Sequence, residues 1–188
     1  IRNKISDIEI TPAQLALDPC SASAVITDVN TGEVRALVTY PSYDNNKFSG
    51  TVDAEYYNKL NNDQSLPLFN NATQAQKAPG STFKPIIAVA ALEEGVIGQN
   101  DTFLCDGGQD VGGYRIKCVS IYGHGILTVE QSLMKSCNDV MMQIAAKLGI
   151  QRFAKYQKLF GMGQKTGIDL PGEAYGLIYN SDNMGPTD

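Results

Sequence analysis

The stretch Ala78-Pro79-Gly80-Ser81-Thr82-Phe83-Lys84-Pro85 decides how this chain is read. It runs into an apolar segment, Ile86 to Leu92, that closes on Glu93-Glu94-Gly95 and predicts a helix opening near Ser81. On such a helix Ser81 and Lys84 share one face. A hydroxyl and an amine then meet at the helix end where backbone N–H groups are unpaired and the dipole is positive. A serine hydroxyl attacks only when a base takes its proton, and a lysine is that base only when neutral. Free lysine titrates at about 10.4, so neutrality at pH 7 requires a downward shift of roughly three units through burial or nearby positive charge. Phe83 and the aliphatic helix supply the burial. The competing reading is a capping serine beside a surface lysine, which is what an isolated S-x-x-K ordinarily means.

Working outward, Ala24–Val29, the turn Asn30-Thr31-Gly32 and Glu33–Val38 predict a β-hairpin. A hairpin needs a covering layer, and the Ile86–Leu92 helix can provide it. Upstream, residues 1 to 20 carry little pattern beyond a short helix start at Thr11-Pro12-Ala13-Gln14. Tyr40-Pro41-Ser42-Tyr43-Asp44 ends the second strand, and the polar, Asn-rich stretch to about Lys77 predicts short helices and loops. Beyond Gly95 the chain reads as glycine-rich loop from Gly107 to Gly113 with a short strand near Tyr114–Lys117. Thr128-x-x-Gln131 matches a capping box and opens a helix to about Met134. Ser136-Cys137-Asn138 interrupts it; Val140, Met141, Ile144, Ala145 and Leu148 then recur at helical spacing, and Gln151–Phe160 forms another helix. The pattern is that of an α/β domain with a helical lobe.

A chain of 188 residues holds one domain or one and a fraction. A formal charge of −5 argues against nucleic acid as a partner and offers no polybasic membrane signal. There is no run of apolar residues long enough to span a bilayer, so membrane attachment is expected only through an anchor outside this chain. The chain begins at Ile1 and ends in the loop-like Gly185-Pro186-Thr187-Asp188, and is expected to be a piece of a longer protein.

Ser81-Thr82-Phe83-Lys84 followed some fifty residues later by Ser136-Cys137-Asn138 resembles the S-x-x-K and S-x-N motifs of the penicillin-binding proteins. The flanks agree: Thr31-Gly32-Glu33-Val34-Arg35-Ala36, Pro41-Ser42-Tyr43-Asp44, Gly123-His124-Gly125 and Gly167-Ile168-Asp169-Leu170-Pro171-Gly172-Glu173. The approach to S-x-N is more similar to the monofunctional, class B transpeptidases. The resemblance implies a β-lactamase/transpeptidase-like fold, an antiparallel sheet packed with helices plus a helical lobe, incomplete in this chain. It also divides the chain into residues 1–23, a linker or the end of a preceding segment, and residues 24–188, part of a transpeptidase domain.

The same resemblance assigns roles. Ser81 would attack the D-Ala-D-Ala carbonyl of a peptidoglycan stem peptide, or a β-lactam amide, to give an acyl-enzyme. Lys84 would be its base, Ser136 would relay a proton to the leaving group, and Asn138 would hydrogen-bond the substrate amide and Lys84. The Ser81 N–H would be half of an oxyanion hole. No catalytic cofactor is implied, a glycan polymerase is left open as a partner, and the location is extracytoplasmic and membrane-anchored. Lys165-Thr166-Gly167 spells the third family motif, K-T-G, but its glycine-rich surroundings do not suit an edge strand. Lys165 is therefore set aside, and the K-T-G strand is expected to be missing. Two alternatives stand beside the transpeptidase: a serine β-lactamase, and a penicillin-sensing or catalytically silent receptor domain.

Cys105, Cys118, His124 and Cys137 form C-x12-C-x5-H-x12-C, a Cys₃His set of the kind that holds structural zinc. Since Ser136 and Asn138 are expected to face the cleft, Cys137 between them should face away, so a metal there would brace the second motif from behind. Some class B relatives are similar in carrying a metal near this histidine. A Cys105–Cys118 disulfide with Cys137 buried, and a set of free thiols, are the other readings. Cys20 has no evident partner.

Overall fold

The computed structural model describes residues 21–178 and residue 180; the helix start read at Thr11–Gln14 and Cys20 lie outside the described residues. The chain divides into two compact units, one of residues 21–76 and 168–174, the other of residues 77–167, 175–178 and 180.

In the first unit β1 (Ala22–Thr27) and β2 (Val34–Tyr40) pair antiparallel, with Val25 opposite Leu37 and Ala24 opposite Val38. The strands lie up to two residues from the expected ranges because Asp28 starts the turn. Its carboxylate accepts from the N–H of Asn30 and Thr31, and its main chain exchanges hydrogen bonds with Gly32 and Glu33. The Asn-rich stretch forms α1 (Ala54–Asn61), capped by Asp53, and the single turn α2 (Asn71–Gln74), capped by Asn70. The Asn71 N–H donates to Thr39 Oγ1 at 2.9 Å, and the Ala174 N–H donates to the Thr73 carbonyl, returning the 168–174 segment to this unit. The hairpin and the Ile86–Leu92 helix thus fall in different units.

The second unit holds both S-x-x-K and S-x-N. A 3₁₀ turn, Gly80–Phe83, leads into α3 (Lys84–Glu93), where Pro85 fits because the first helical N–H groups have no intrahelical partner. Two further antiparallel pairs follow: β3 (Thr102–Cys105) with β6 (Gly125–Thr128), and β4 (Gly108–Val111) with β5 (Tyr114–Lys117). The segment read as glycine-rich loop is therefore partly strand. Gly112 and Gly113, at φ of 58° and 85°, form the two-residue connection of a tight hairpin, a backbone that other residues adopt only at a cost. Then come α4 (Val129–Met134), opened by the expected capping box, α5 (Asn138–Leu148) and α6 (Ile150–Leu159).

Packing follows the apolar periodicity. Val140, Met141 and Ile144 of α5 are buried with Ala88 and Ala91 of α3, and Phe103 and Leu127 close the core from the β3–β6 pair. Small residues on α3 let its backbone approach α5 closely. A buried side chain such as Ile144 contributes about 1.5–3 kcal/mol. The consequence is that the start of α3 and the start of α5 are held side by side.

Candidate active site

Both sequence motifs sit on these two helix starts. Ser81 lies in the 3₁₀ turn and is exposed, whereas Lys84 opens α3 and is 8% exposed. Phe83 meets Phe153 edge to face at 5.3 Å. Ser136 and Asn138 flank the break between α4 and α5. Ser136 has φ of +49°, in the left-handed region that costs a residue with a Cβ on the order of 1 kcal/mol or more. That backbone turn aims two oxygens of one residue at one amine: Lys84 Nζ is 2.7 Å from the Ser136 carbonyl oxygen and 2.9 Å from its hydroxyl.

Lys84 Nζ also lies 2.7 Å from Asn138 Oδ1 and 3.0 Å from Ser81 Oγ, and the two serine hydroxyls are 2.9 Å apart. The proton inventory decides what this arrangement can do. Two of the four oxygens around the amine, the Ser136 carbonyl and Asn138 Oδ1, can only accept. A neutral amine satisfies both with its two N–H bonds, which leaves its lone pair for a hydroxyl proton from Ser81 or Ser136. Burial pushes Lys84 below its ordinary 10.5, while negative charge on the Cys118 and Cys137 sulfurs, when they are thiolates, pulls the other way. Ser81 Oγ therefore has within reach an amine able to take a proton when neutral, and a second hydroxyl beside it.

Behind the second motif, the thiols and His124 gather as their spacing suggested. Sγ of Cys105, Cys118 and Cys137 and the His124 ring nitrogen lie within 4.8 Å of one another. His124 Nδ1 is 3.4 Å from Cys105 Sγ and 3.6 Å from Cys118 Sγ, and Cys118 Sγ is 3.7 Å from Cys137 Sγ. All three thiols are free, so the Cys105–Cys118 disulfide is not formed. A tetrahedral zinc with Zn–S of about 2.3 Å and Zn–N of about 2.0 Å sets its ligands roughly 3.8 Å (S to S) and 3.5 Å (S to N) apart, close to these separations. Burial raises the Cys118 thiol, but the backbone N–H groups of Asp139, Ser120 and Asn138 outweigh it and bring Cys118 down to about 6; burial pushes Cys137 up to about 12. The loop is shaped by glycine: a Cβ on Gly123 would stand 2.3 Å from the Cys105 carbonyl oxygen, and one on Gly107 2.3 Å from that of Ile121.

Lys165, set aside from the sequence, lies exposed on an irregular segment and not on a strand. What sequence reasoning missed is Asp139, fully buried directly after Asn138, together with the two glutamines that meet it. The available signal was an acidic residue and Gln143 at i, i+4 beside the apolar face of α5.

A serine and a lysine on one helix start, facing Ser-x-Asn on the next, form the arrangement shared by the penicillin-binding proteins and the serine β-lactamases. The chain belongs to the penicillin-binding protein transpeptidase domain family, whose model matches residues 22–186. It is 42% identical over 157 residues to the peptidoglycan D,D-transpeptidase MrdA of Escherichia coli K12, an alignment covering 82% of this chain and 25% of that protein. The crystal structure of Pseudomonas aeruginosa PBP2 in complex with WCK 5153 superposes with a TM-score of 0.79 at 32% identity, covering 85% of this chain and 37% of that one. A structure described as a peptidoglycan synthase complex that coordinates polymerization and crosslinking gives 0.79 at 32% identity, over 96% of this chain and 32% of that one. The chain therefore spans 25% to 37% of the length of these relatives. The fold is that of these transpeptidase domains, as the motifs led us to expect.

Proposed function

We propose that this chain carries the nucleophile half of a peptidoglycan D,D-transpeptidase. The carrying observation is the convergence of Ser81 Oγ, Ser136 Oγ and Asn138 Oδ1 on one buried amine, all within 3.0 Å of Lys84 Nζ. In this reading Ser81 Oγ attacks the carbonyl of a D-Ala-D-Ala bond and gives its proton to neutral Lys84. The proton passes through Ser136 to the departing amine, and an acyl-Ser81 ester remains until an acceptor amine attacks it. A β-lactam enters by the same attack, but its amine stays tethered to the acyl group. The Ser81 N–H would supply one oxyanion donor; the second, and the strand that lines up substrate backbone, would come from a K-[ST]-G strand other than Lys165-Thr166-Gly167, where Lys165 lies on an irregular segment.

Cys105, Cys118, His124 and Cys137 would hold a structural zinc. The ion would fix the loop behind Ser136-Cys137-Asn138 and take no part in proton transfer. Among the described residues no helix is long and apolar enough to cross a membrane. The proposed location is outside the cytoplasm, through an anchor elsewhere in the protein, with a glycan polymerase as partner, the association that the synthase-complex neighbour suggests.

A fluorescent penicillin incubated with the full-length protein and with Ser81→Ala tests the reading. A long-lived adduct on the parent and none on the variant is expected. Rapid release of hydrolysed drug would point instead to a β-lactamase, and absence of label from the parent would overturn the proposal.

A further inference from the structure

Three consecutive residues at the start of α5 face three different partners. Cys137 Sγ is 3.7 Å from Cys118 Sγ, Asn138 Oδ1 is 2.7 Å from Lys84 Nζ, and the Asp139 side chain meets the loop after Cys105. Asp139 is fully buried, and among the described residues no cation pairs with it. Such an anion survives burial only when donors surround it. Here Oδ2 accepts from the backbone N–H of Asp106 at 3.0 Å and of Gly108 at 3.1 Å. Oδ1 accepts from Gln109 Nε2 at 2.6 Å and Gln143 Nε2 at 2.7 Å. The position at the first turn of α5 adds the favourable end of the helix dipole.

We infer that Asp139 is a positioning residue for the acylation reaction: by locking the rotation of the first turn of α5 against the 106–109 loop, it holds Asn138 on Lys84. The inference rests on the transpeptidase reading above. The donor arithmetic shows why a carboxylate is required. Gln143 Nε2 also donates to the Leu104 carbonyl at 2.7 Å, so this amide cannot flip to present its oxygen without losing that bond. The two backbone N–H groups on Oδ2 are equally fixed. Both oxygens of residue 139 must therefore accept, and asparagine, with one oxygen and one NH₂, cannot satisfy both sides. A one-atom change then frees the first turn to rotate, and the residue displaced with it is Asn138.

The test compares three variants of the full-length protein for the rate of Ser81 acylation by a fluorescent penicillin and for thermal stability. Asp139→Asn preserves shape and removes one acceptor. Gln109→Ala removes one donor from outside the motifs and is the milder change if Asp139→Asn does not fold. Leu148→Ala, at the far end of α5, is the control for destabilisation alone. The expected result is a limiting acylation rate about 10- to 100-fold lower in Asp139→Asn and about 3- to 10-fold lower in Gln109→Ala, with a smaller change in half-saturating drug concentration. Leu148→Ala should stay within about twofold of the parent even where its melting temperature falls as far. Acylation of Asp139→Asn, or of Gln109→Ala where the former is unfolded, at the rate of the Leu148→Ala control would overturn the inference and leave Asp139 as ordinary scaffold. Failure of the parent to acylate at all would instead strike the transpeptidase reading itself.

Discussion

Ser136 presents both its carbonyl oxygen and its hydroxyl to Lys84 Nζ, at 2.7 and 2.9 Å, and does so from a left-handed backbone at φ of +49°. The strained conformation and the double contact are one fact. An ordinary helical φ would carry α4 straight on through this residue, and the two oxygens would not converge. The break that looked like a simple helix interruption in the sequence is therefore what brings both Ser136 oxygens onto the Lys84 amine.

This relationship separates stability from reactivity. Ser136→Gly relieves the left-handed strain and should be more stable than Ser136→Ala by about 1 kcal/mol, because alanine keeps the Cβ that makes the conformation costly. Both variants lose the hydroxyl and should acylate on the order of 10²-fold more slowly than the parent. Chemical denaturation and penicillin labelling of the full-length protein check the two halves. Equal stability of the two variants would show that the Ser136 backbone carries no strain.

The pH profile of acylation should follow Lys84. Burial pushes its amine below 10.5, and the reactive form is the neutral one. The rate should therefore rise as pH rises through the depressed value and level off before 10.5. Measured against a slow β-lactam from pH 5 to 10, the ascending limb should disappear in Lys84→Met along with nearly all activity. A limb centred at the ordinary lysine value would show that the amine is not depressed and would remove Lys84 as the resting base.

A different pH dependence belongs to the scaffold. Glu94, at the end of α3, takes Lys155 Nζ at 2.7 Å and Arg152 Nε at 3.4 Å, both from α6. The hydrogen bond from Lys155 holds its carboxyl below the ordinary 4.5. A depressed folded value means the contribution is complete above 4.5 and is lost as pH falls through the folded value. Glu94→Gln should lower the melting temperature at pH 7 by roughly a degree or two, as exposed ion pairs do, and the gap should close near pH 3. A gap that persists at pH 3 would assign the effect to packing.

Much of this was legible in the residues, and the limits have physical causes. Ser81 and Lys84 could be singled out because an i, i+3 spacing that puts a hydroxyl and an amine on one helical turn is visible in one dimension, whereas Ser136 and Asn138 were reached through the resemblance to the S-x-N motif. The apolar period of α5 and the Thr128 capping box are likewise local. β3, β4 and β6 were not legible: each is four residues long, and β3 meets β6 across a separation of 20 to 26 residues, so no local pattern records that pairing. The Gly112-Gly113 turn was the one available cue. Asp139 was hidden for a related reason. Its worth comes from donors 30 to 33 residues away and four residues ahead, and an acidic residue in the first turn of a helix looks like ordinary dipole chemistry.

The thiol cluster gives the last prediction. Cys137 has two duties: its Sγ belongs to the Cys105, Cys118 and His124 set, and it also accepts the Val140 N–H at 3.4 Å as the N-cap of α5. The duties can be separated, since serine is a good N-cap and a poor zinc ligand, whereas alanine is neither. The purified parent should contain one zinc per chain by metal analysis, and a chelator that strips it should lower both melting temperature and acylation rate. Cys105→Ser and Cys137→Ser should each lose the metal. Cys137→Ala should lose it too, and unfold more readily than Cys137→Ser by about 1 kcal/mol for the missing cap. Full zinc content in Cys105→Ser would remove that thiol from the set. A parent that binds no zinc, with all three thiols titratable, would mean that the cluster braces the second motif through packing alone.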